Sequence, residues 1–231
     1  MTTDTIEQTK RTFNHFSLYS FRDAYWSLGL HERVDFHRKW LSALCASAQK
    51  VDIFQSTEHD VDLIVWSALT VESNQDAAVF FEKNAKALVP WRHLIENKDS
   101  LWGFTRPSQY SKARSKQEID PFSDEHKPYL IIYPFSKTTE WYLMSREARQ
   151  GMMNEHIRIG KSYEDISQLL LYSFGLQNQE FVVVYETDDL TRFSDLVNEL
   201  RDTEARRYTL CDTPLHTAIY HPAEETLALW K

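Results

Sequence analysis

Glycine is nearly missing from this chain: five residues in 231, at positions 29, 103, 151, 160 and 175. No GxGxxG and no Walker A run exists, so nucleotide folds that press backbone against phosphate through a glycine loop lose their support. Cysteine is as sparse. Cys45 and Cys211 have no CxxC spacing and make no disulfide framework, so a reducing, cytoplasmic setting is the expectation. Positive charge is not in surplus either. The formal net charge of −8 argues against nucleic acid or an anionic membrane surface as the main partner. No apolar run reaches 18 residues, so no membrane span is expected. The polar, acidic start of the chain lacks a basic stretch followed by an apolar one and does not read as a secretory signal. The histidines show no HxH, HExxH or Cys/His spacing, which leaves zinc unsupported, and no GxSxG elbow points to serine hydrolysis.

Apolar side chains, by contrast, are plentiful. They make up 42% of the chain, enough for a real core, and the seven tryptophans suit a thick core, a flat apolar ligand, or both. The first half reads strand, helix, strand, strand, helix, strand. Residues 13–21 have strand character. Helical spacing runs through Val34, Trp40, Leu41 and Leu44. Residues 51–55 and 61–69 are strands, residues 74–88 a helix with Ala78, Phe81 and Ala85 on one face, and residues 101–105 a last strand. Residues 106–127 break the pattern. The stretch 106–116 is polar and basic, and 120–124 is turn chemistry, so a mobile linker able to gate a pocket is expected.

The second half repeats the order. Residues 129–135 form an apolar, β-branched strand, and Ser145 can cap a helix running to Arg158. Residues 166–174 and 180–186 are strands. Asp188 or Asp189 opens a helix whose inner face is Phe193, Leu196, Val197 and Leu200, and residues 208–210 and 215–220 close the series. Two copies of β-α-β-β-α-β are two ferredoxin-like units. The fold class is therefore α+β: two ferredoxin-like βαββαβ units, with domains at 1–105 and 128–231 and a linker at 106–127. Packing sheet to sheet would bury the free faces and enclose a cavity.

One histidine stands out in the second unit. His156 shares a helical face with Ala148, Met152 and Ile159, whereas Arg149, Glu155 and Arg158 point elsewhere. Two readings stand: a half-buried histidine with a hydrogen-bond partner, or an axial ligand to haem iron whose other ring nitrogen donates to a carboxylate. Glu204, at the end of the last helix, can supply that carboxylate or can pair with a neighbouring arginine. Alternation puts Tyr133 on one sheet face with Ile131. Lys137, Trp141 and Tyr142 follow the strand end, where a cation and aromatics suit the carboxylates and flat face of a porphyrin or, equally, a solvated loop.

These residues carry a resemblance. The runs Tyr129 to Lys137 (YLIIYPFSK), Glu140 to Leu143 (EWYL), Met152 to His156 (MMNEH), Tyr172 to Leu176 (YSFGL), Glu180 to Val184 (EFVVV) and Thr203 to Tyr208 (TEARRY), in this order, resemble the chlorite dismutase family, which includes the coproheme decarboxylases. The strong likeness covers residues 128–220. In the first half the best local stretch is 101–108 (LWGFTRPS). The resemblance implies that the two ferredoxin-like units pack as a dimeric α+β barrel, with haem b or coproheme in the second domain, a homopentamer, and His156 as the proximal iron ligand with Glu204 as its acidic partner. It implies Tyr133 as a radical relay and Lys137 as the residue that holds a reacting propionate, with hydrogen peroxide as oxidant. Chlorite dismutases of this family place a distal arginine 13 residues after the proximal histidine, and many coproheme decarboxylases place glutamine there. The count lands on Leu169, with Gln168 adjacent, and a one-residue slip would change the face. With Leu169 at the iron no positive donor is available, so chlorite breakdown is disfavoured and oxidative decarboxylation of coproheme to haem b is the expected activity. A chlorite-degrading or weak peroxidase-type haem protein, and a non-catalytic haem carrier or sensor, are the alternatives.

Overall fold

The computed structural model describes residues 11–110 and 115–231. The acidic start of the chain and residues 111–114 of the basic connection lie outside the described residues. In the first half, β1 (Thr12–Phe21), α1 (Asp23–Trp26), α2 (Leu30–Cys45), β2 (Lys50–Ser56), β3 (Leu63–Thr70), α3 (Asp76–Leu88) and β4 (Ile95–Phe104) follow one another. The second half holds β5 (Tyr129–Lys137), α4 (Thr139–Leu143), α5 (Arg146–Lys161), β6 (Ser167–Tyr172), β7 (Phe181–Thr187), α6 (Leu190–Arg201), β8 (Thr209–Cys211), β9 (His216–Tyr220) and α7 (Ala223–Ala228). Two of the helix starts are set by capping side chains. The Ser145 hydroxyl accepts from the Ala148 amide, and the Asp189 carboxylate accepts from the Thr191 and Arg192 amides.

The strands lie in the order β4-β1-β3-β2 in the first half and β6-β7-β5-β9 in the second, all antiparallel, which is the ferredoxin-like arrangement twice over. The inner faces of the two sheets pack on each other, as expected, and the halves also join edge to edge. Phe104 pairs with Tyr172 on one side, and Phe54, Gln55 and Ser56 pair with Tyr220, Ile219 and Ala218 on the other. Eight strands thereby close into one barrel, with β8 added outside β5, and closure removes the four free edges that two separate sheets would present. Gly103 sits at the narrower seam. A Cβ there would meet Ser173 Oγ at 2.7 Å and the Tyr172 carbonyl at 2.8 Å, so the close approach of β4 to β6 needs glycine.

Side chains pack the interior where the faces meet. Phe16, Leu18, Phe54, Ile64, Trp66, Leu101, Leu130, Ile132, Leu169, Leu171, Val182 and Val184 form this core. The helices cover the outer faces. In the first half α2, α3 and the C-terminal Leu227 seal the sheet so well that all the outward residues of β1, from Phe13 to Phe21, are buried.

The connection between the units is pinned, contrary to the expectation of a mobile tether, over its described C-terminal part. The Gln117 side-chain amide donates to the carbonyls of Gly160, Tyr163 and Ile166, Ile119 enters the barrel core, and the backbones of residues 117 and 119 bond to Gln168. Polar composition hid this, since one buried isoleucine and one amide do the anchoring.

His126, also in the connection, bridges the two halves. Its Nδ1 lies 2.6 Å from Glu186 Oε1 on β7 and its Nε2 lies 3.3 Å from Asp52 Oδ2 on β2. Burial on its own would favour the neutral ring, but hydrogen bonds to Asp52 and Glu186 outweigh it and lift the pKa to about 9. The folded state thus holds a proton that the unfolded chain has lost by pH 6.5–9, and the stabilisation, complete below 6.5, drains away as pH rises through 9. The melting temperature should fall across that window, as thermal scans at stepped pH would show. In a His126→Gln variant, where two buried carboxylates lose their cation, the fall should vanish and the baseline should drop by about 3–5 kcal/mol. A flat wild-type profile from pH 6.5 to 9.5 would rule out the charged bridge.

Candidate functional site

The two halves differ in how they fill the layer between sheet and first long helix. Helices α2 and α5 occupy corresponding places and both have 16 residues. Helix α2 buries Phe36, His37, Trp40 and Leu44, whereas α5 buries only Ile159. The strands below show the same contrast. Outward residues of β5 are half-buried at Tyr133 and Phe135, and Leu170 on β6 is 42% exposed. The C-terminal end of α5 is sealed, with Ile159 and Tyr163 against Ile131, Ile166, Tyr185, Phe193 and Leu196. Toward its N-terminal end, Arg149, Met152, Met153 and His156 stay half-buried beside the partly open sheet. A layer of this kind leaves apolar surface uncovered, and covering roughly 100 Å² of it contributes about 2.5 kcal/mol.

The structure brings several of the expected site residues to this layer. Register places Tyr133 opposite Val183 and Val183 opposite Leu170, on the outer face. The Tyr133 ring lies 6.3 Å from that of Tyr185, nearly parallel. Burial holds the Tyr133 phenol well above its usual pKa, reinforced by the neighbouring Tyr185, so the group is neutral at any ordinary pH. Lys137 lies at the end of the same strand. Its Nζ donates to the Ala205 carbonyl at 3.1 Å and sits 4.5 Å from the centre of the buried Trp141 ring. Burial, then the neighbouring Arg206, lower its pKa to about 8, which leaves it mainly cationic at neutral pH. His156 is close enough to feel that cation. Burial first, and Lys137 second, push its pKa down to about 4, and no hydrogen bond contributes. A neutral imidazole with an available lone pair is the form that ligates a metal.

Two expected members are elsewhere. Leu169 points into the barrel core, 3% exposed, because β6 alternates and Leu169 pairs with Val184 on the inner face. The residues of β6 that face the layer are Gln168, opposite Tyr185, and Leu170. Counting residues from His156 across the helix end and turn therefore landed one position off the face. Glu204 is also not the partner of His156. It is turned outward, with its carboxylate 3.3 Å from Arg207 Nε, and it is not among the groups that shift His156.

The face of α5 differs in the same spirit. Ala148, expected beside His156, is exposed, whereas Arg149, expected to point away, is half-buried with its Nε wholly buried and unpaired. Seven residues make two helical turns, so positions 149 and 156 share a face. Spacing alone could have found Arg149, but its charge argued for solvent. Tyr185, Glu180 and Arg206 were missed as well. Glu180 Oε2 accepts from the Lys137 amide at 2.8 Å and from the Tyr142 hydroxyl at 2.5 Å, and Arg206 Nη1 lies 2.5 Å from Asp212 Oδ2. No sequence spacing connects these residues, because β8 and the turn before it reach the layer through tertiary packing.

Among the described residues, no group of three or more His, Cys, Asp or Glu side chains could hold a metal ion. A metal on His156 must then bring most of its ligands with it, as the iron of a macrocycle does. No described helix is long and apolar enough to cross a membrane.

Comparison with known proteins points the same way. A family model described as chlorite dismutase matches residues 38–220. A coproheme decarboxylase of Mycolicibacterium smegmatis (strain ATCC 700084 / mc(2)155) is 30% identical over 175 residues, covering 73% of this chain and 71% of that protein. Among solved structures, a point mutant of the chlorite dismutase from Candidatus Nitrospira defluvii superposes with a TM-score of 0.81 at 20% identity, covering 96% of each chain. The same organism's chlorite dismutase in complex with imidazole gives a TM-score of 0.78 at 21% identity, covering 95% of this chain and 94% of that one.

Proposed function

The chain belongs to the chlorite dismutase family, and from that membership and the geometry of the α5 layer we propose that it converts coproheme to haem b by peroxide-dependent decarboxylation. The observation that carries this reading is the convergence of Tyr133, Lys137 and His156 on one half-filled layer. The residues fit an iron porphyrin. His156 offers a neutral ring for the iron, Met152, Met153, Val183 and Leu170 offer apolar surface for a flat ring, and Lys137 offers a cation for a carboxylate at its rim. In this reading the site acts as a monomer-built pocket within a homopentamer, in a cytoplasmic setting.

Bound iron porphyrin supplies the peroxide chemistry, and the protein supplies placement. Each turn takes a propionate, –CH2–CH2–COO⁻, to a vinyl group. It releases carbon dioxide, and the two electrons and β-hydrogen reduce peroxide, with one further proton, to two waters. Lys137 pairs with the carboxylate and fixes it near the strand end, and desolvation at this buried site strengthens the pair. Tyr133 stays protonated at working pH, so it gives up an electron only together with its proton. Tyr185, whose ring lies 6.3 Å away and nearly parallel, packs beside the phenol.

Chlorite breakdown fits less well. It asks for a positive donor aimed at the developing oxyanion. The layer-facing residues of β6 are Gln168 and Leu170. The test is to mix the protein with ferric coproheme, add hydrogen peroxide stepwise and weigh the porphyrin by mass spectrometry. Two successive losses of one formic-acid equivalent are expected. Tight binding with bleaching and no loss of mass would overturn the decarboxylase reading and leave a haem carrier or peroxidase.

A further inference from the structure

Tyr133 has a second tyrosine beside it that the proposed reaction does not use. Tyr185 lies on β7, diagonal to Tyr133 in the register, because Tyr133 pairs with Val183 and side chains two residues apart share a face. The two rings are 6.3 Å apart and 23° from parallel. Their surroundings differ. Tyr133 is half-buried at the open part of the layer, and Asp212 and Arg201 act on its phenol electrostatically. Tyr185 is 5% exposed and sealed among Ile131, Ile159, Ile166, Phe193 and Leu196. Among the described residues, the polar group that shifts its phenol is Tyr133.

This contrast limits how Tyr185 can be oxidised. Loss of an electron alone would leave a cation in an apolar pocket, and loss of a proton alone would leave a phenolate there. Neither charge has a partner, so both are costly. Electron and proton must leave together, and the acceptor beside them is the oxygen of Tyr133 once that residue has lost its own hydrogen. The exchange moves one hydrogen atom. The O–H bond of Tyr185 breaks, the O–H bond of Tyr133 forms, and both side chains are uncharged before and after. The same restriction closes the far side. Tyr163 belongs to the same cluster, and its hydroxyl donates to the exposed Glu199 at 2.6 Å. An electron passed from Tyr163 to an oxidised Tyr185 would leave a buried phenolate, so the oxidising equivalent does not drain to the surface by that route.

We propose that Tyr185 is a reserve site for the oxidising equivalent of Tyr133, filled and emptied only through Tyr133 by hydrogen-atom exchange. The proposal rests on the decarboxylase reading, in which hydrogen peroxide and the bound iron porphyrin supply the oxidant that takes the first hydrogen atom from Tyr133. It goes beyond that reading by giving a part to a buried residue that touches no substrate and acts through Tyr133. When no propionate is in place, the neutral phenoxyl passes to a position that solvent reductants do not reach. It returns to Tyr133 once a propionate is seated.

The experiment places 3-fluorotyrosine at position 185 of the full-length protein, loaded with ferric haem b. Haem b is the end product of the proposed reaction, so its remaining propionates do not consume the oxidising equivalent. An equimolar amount of hydrogen peroxide is added and the sample is rapidly frozen. A radical at position 185 shows fluorine hyperfine splitting in the electron paramagnetic resonance spectrum, which reports where the spin sits rather than turnover. Fluorine replaces one ring hydrogen, so packing is retained. The splitting should appear in the otherwise native protein and be lost in a Tyr133→Phe background. 3-Fluorotyrosine at position 163 should give no splitting. Absence of splitting from position 185, a splitting there that survives Tyr133→Phe, or a splitting from position 163 would each overturn the proposal. Loss of mass from coproheme with no spin at position 185 would spare the decarboxylase reading and sink the reserve site. Spin at position 185 in a protein that removes no mass from coproheme would spare the reserve site and sink that reading.

Discussion

Tyr133→Phe is expected to reduce peroxide-driven decarboxylation by about 10²–10⁴-fold, the range a positioned proton-transferring side chain contributes, while porphyrin affinity changes less than twofold. The substitution removes one oxygen and keeps the ring that lies 6.3 Å from Tyr185 and lines the sheet. Packing is thus preserved, and what disappears is the hydroxyl that gives up a proton with an electron. Loss of one hydroxyl at this half-buried position should cost about 1 kcal/mol of stability, too little to unfold the protein. The separation of rate from binding is the point of the experiment. Stopped-flow spectra with coproheme and peroxide, read beside fluorescence titration with metal-free coproporphyrin, give both quantities. A variant that turns over at the wild-type rate would show that Tyr133 merely packs.

His156→Ala should lower affinity for ferric coproheme by at least about 100-fold, beyond what loss of an outer ligand contact costs a metal site. Affinity for metal-free coproporphyrin should barely change, because the apolar layer and the Lys137 cation remain. The ring is neutral down to about pH 4, through burial and the Lys137 cation, so it ligates without first releasing a proton. Iron binding by the wild type should therefore be level between pH 5 and 7. Equal loss for both porphyrins would mean that His156 shapes the layer rather than holding iron.

How much of this was visible in the chain depends on the kind of signal. Alternation in residues 12–21 and 129–137 and the cap residues Ser145 and Asp189 mark local elements, because backbone geometry and capping act over a few residues. Edge-to-edge closure was not visible. The pairings of Phe104 with Tyr172 and Phe54 with Tyr220 are backbone hydrogen bonds, which carry no side-chain signature. Residues 95–100 were missed as strand because Glu96, Asn97, Lys98 and Asp99 give polar composition to half of β4. The last helix, α7, lay outside the repeated pattern, yet its Leu227 helps to seal the first half.

The site divided in the same way. Tyr133 and Lys137 sit on one strand and His156 on one helix, so periodicity could place each on a face. Leu169 failed because the run from Leu169 to Leu171 is apolar on both faces, and parity is then set by register with Val184 rather than by pattern. Glu204 failed because an acidic residue among arginines has a nearer partner in Arg207. Arg149 was placed off the apolar face of its helix and His126 shows no ligand spacing, and only tertiary packing shows that the guanidinium Nε and the imidazole are buried.

The most direct measurement is a crystal structure of the protein with ferric coproheme. The account predicts the porphyrin between α5 and the outer face of β5, β6 and β7, its iron bonded to a ring nitrogen of His156. One propionate should lie against Lys137 within reach of the Tyr133 hydroxyl. A porphyrin bound elsewhere, or iron held by a residue other than His156, would contradict it.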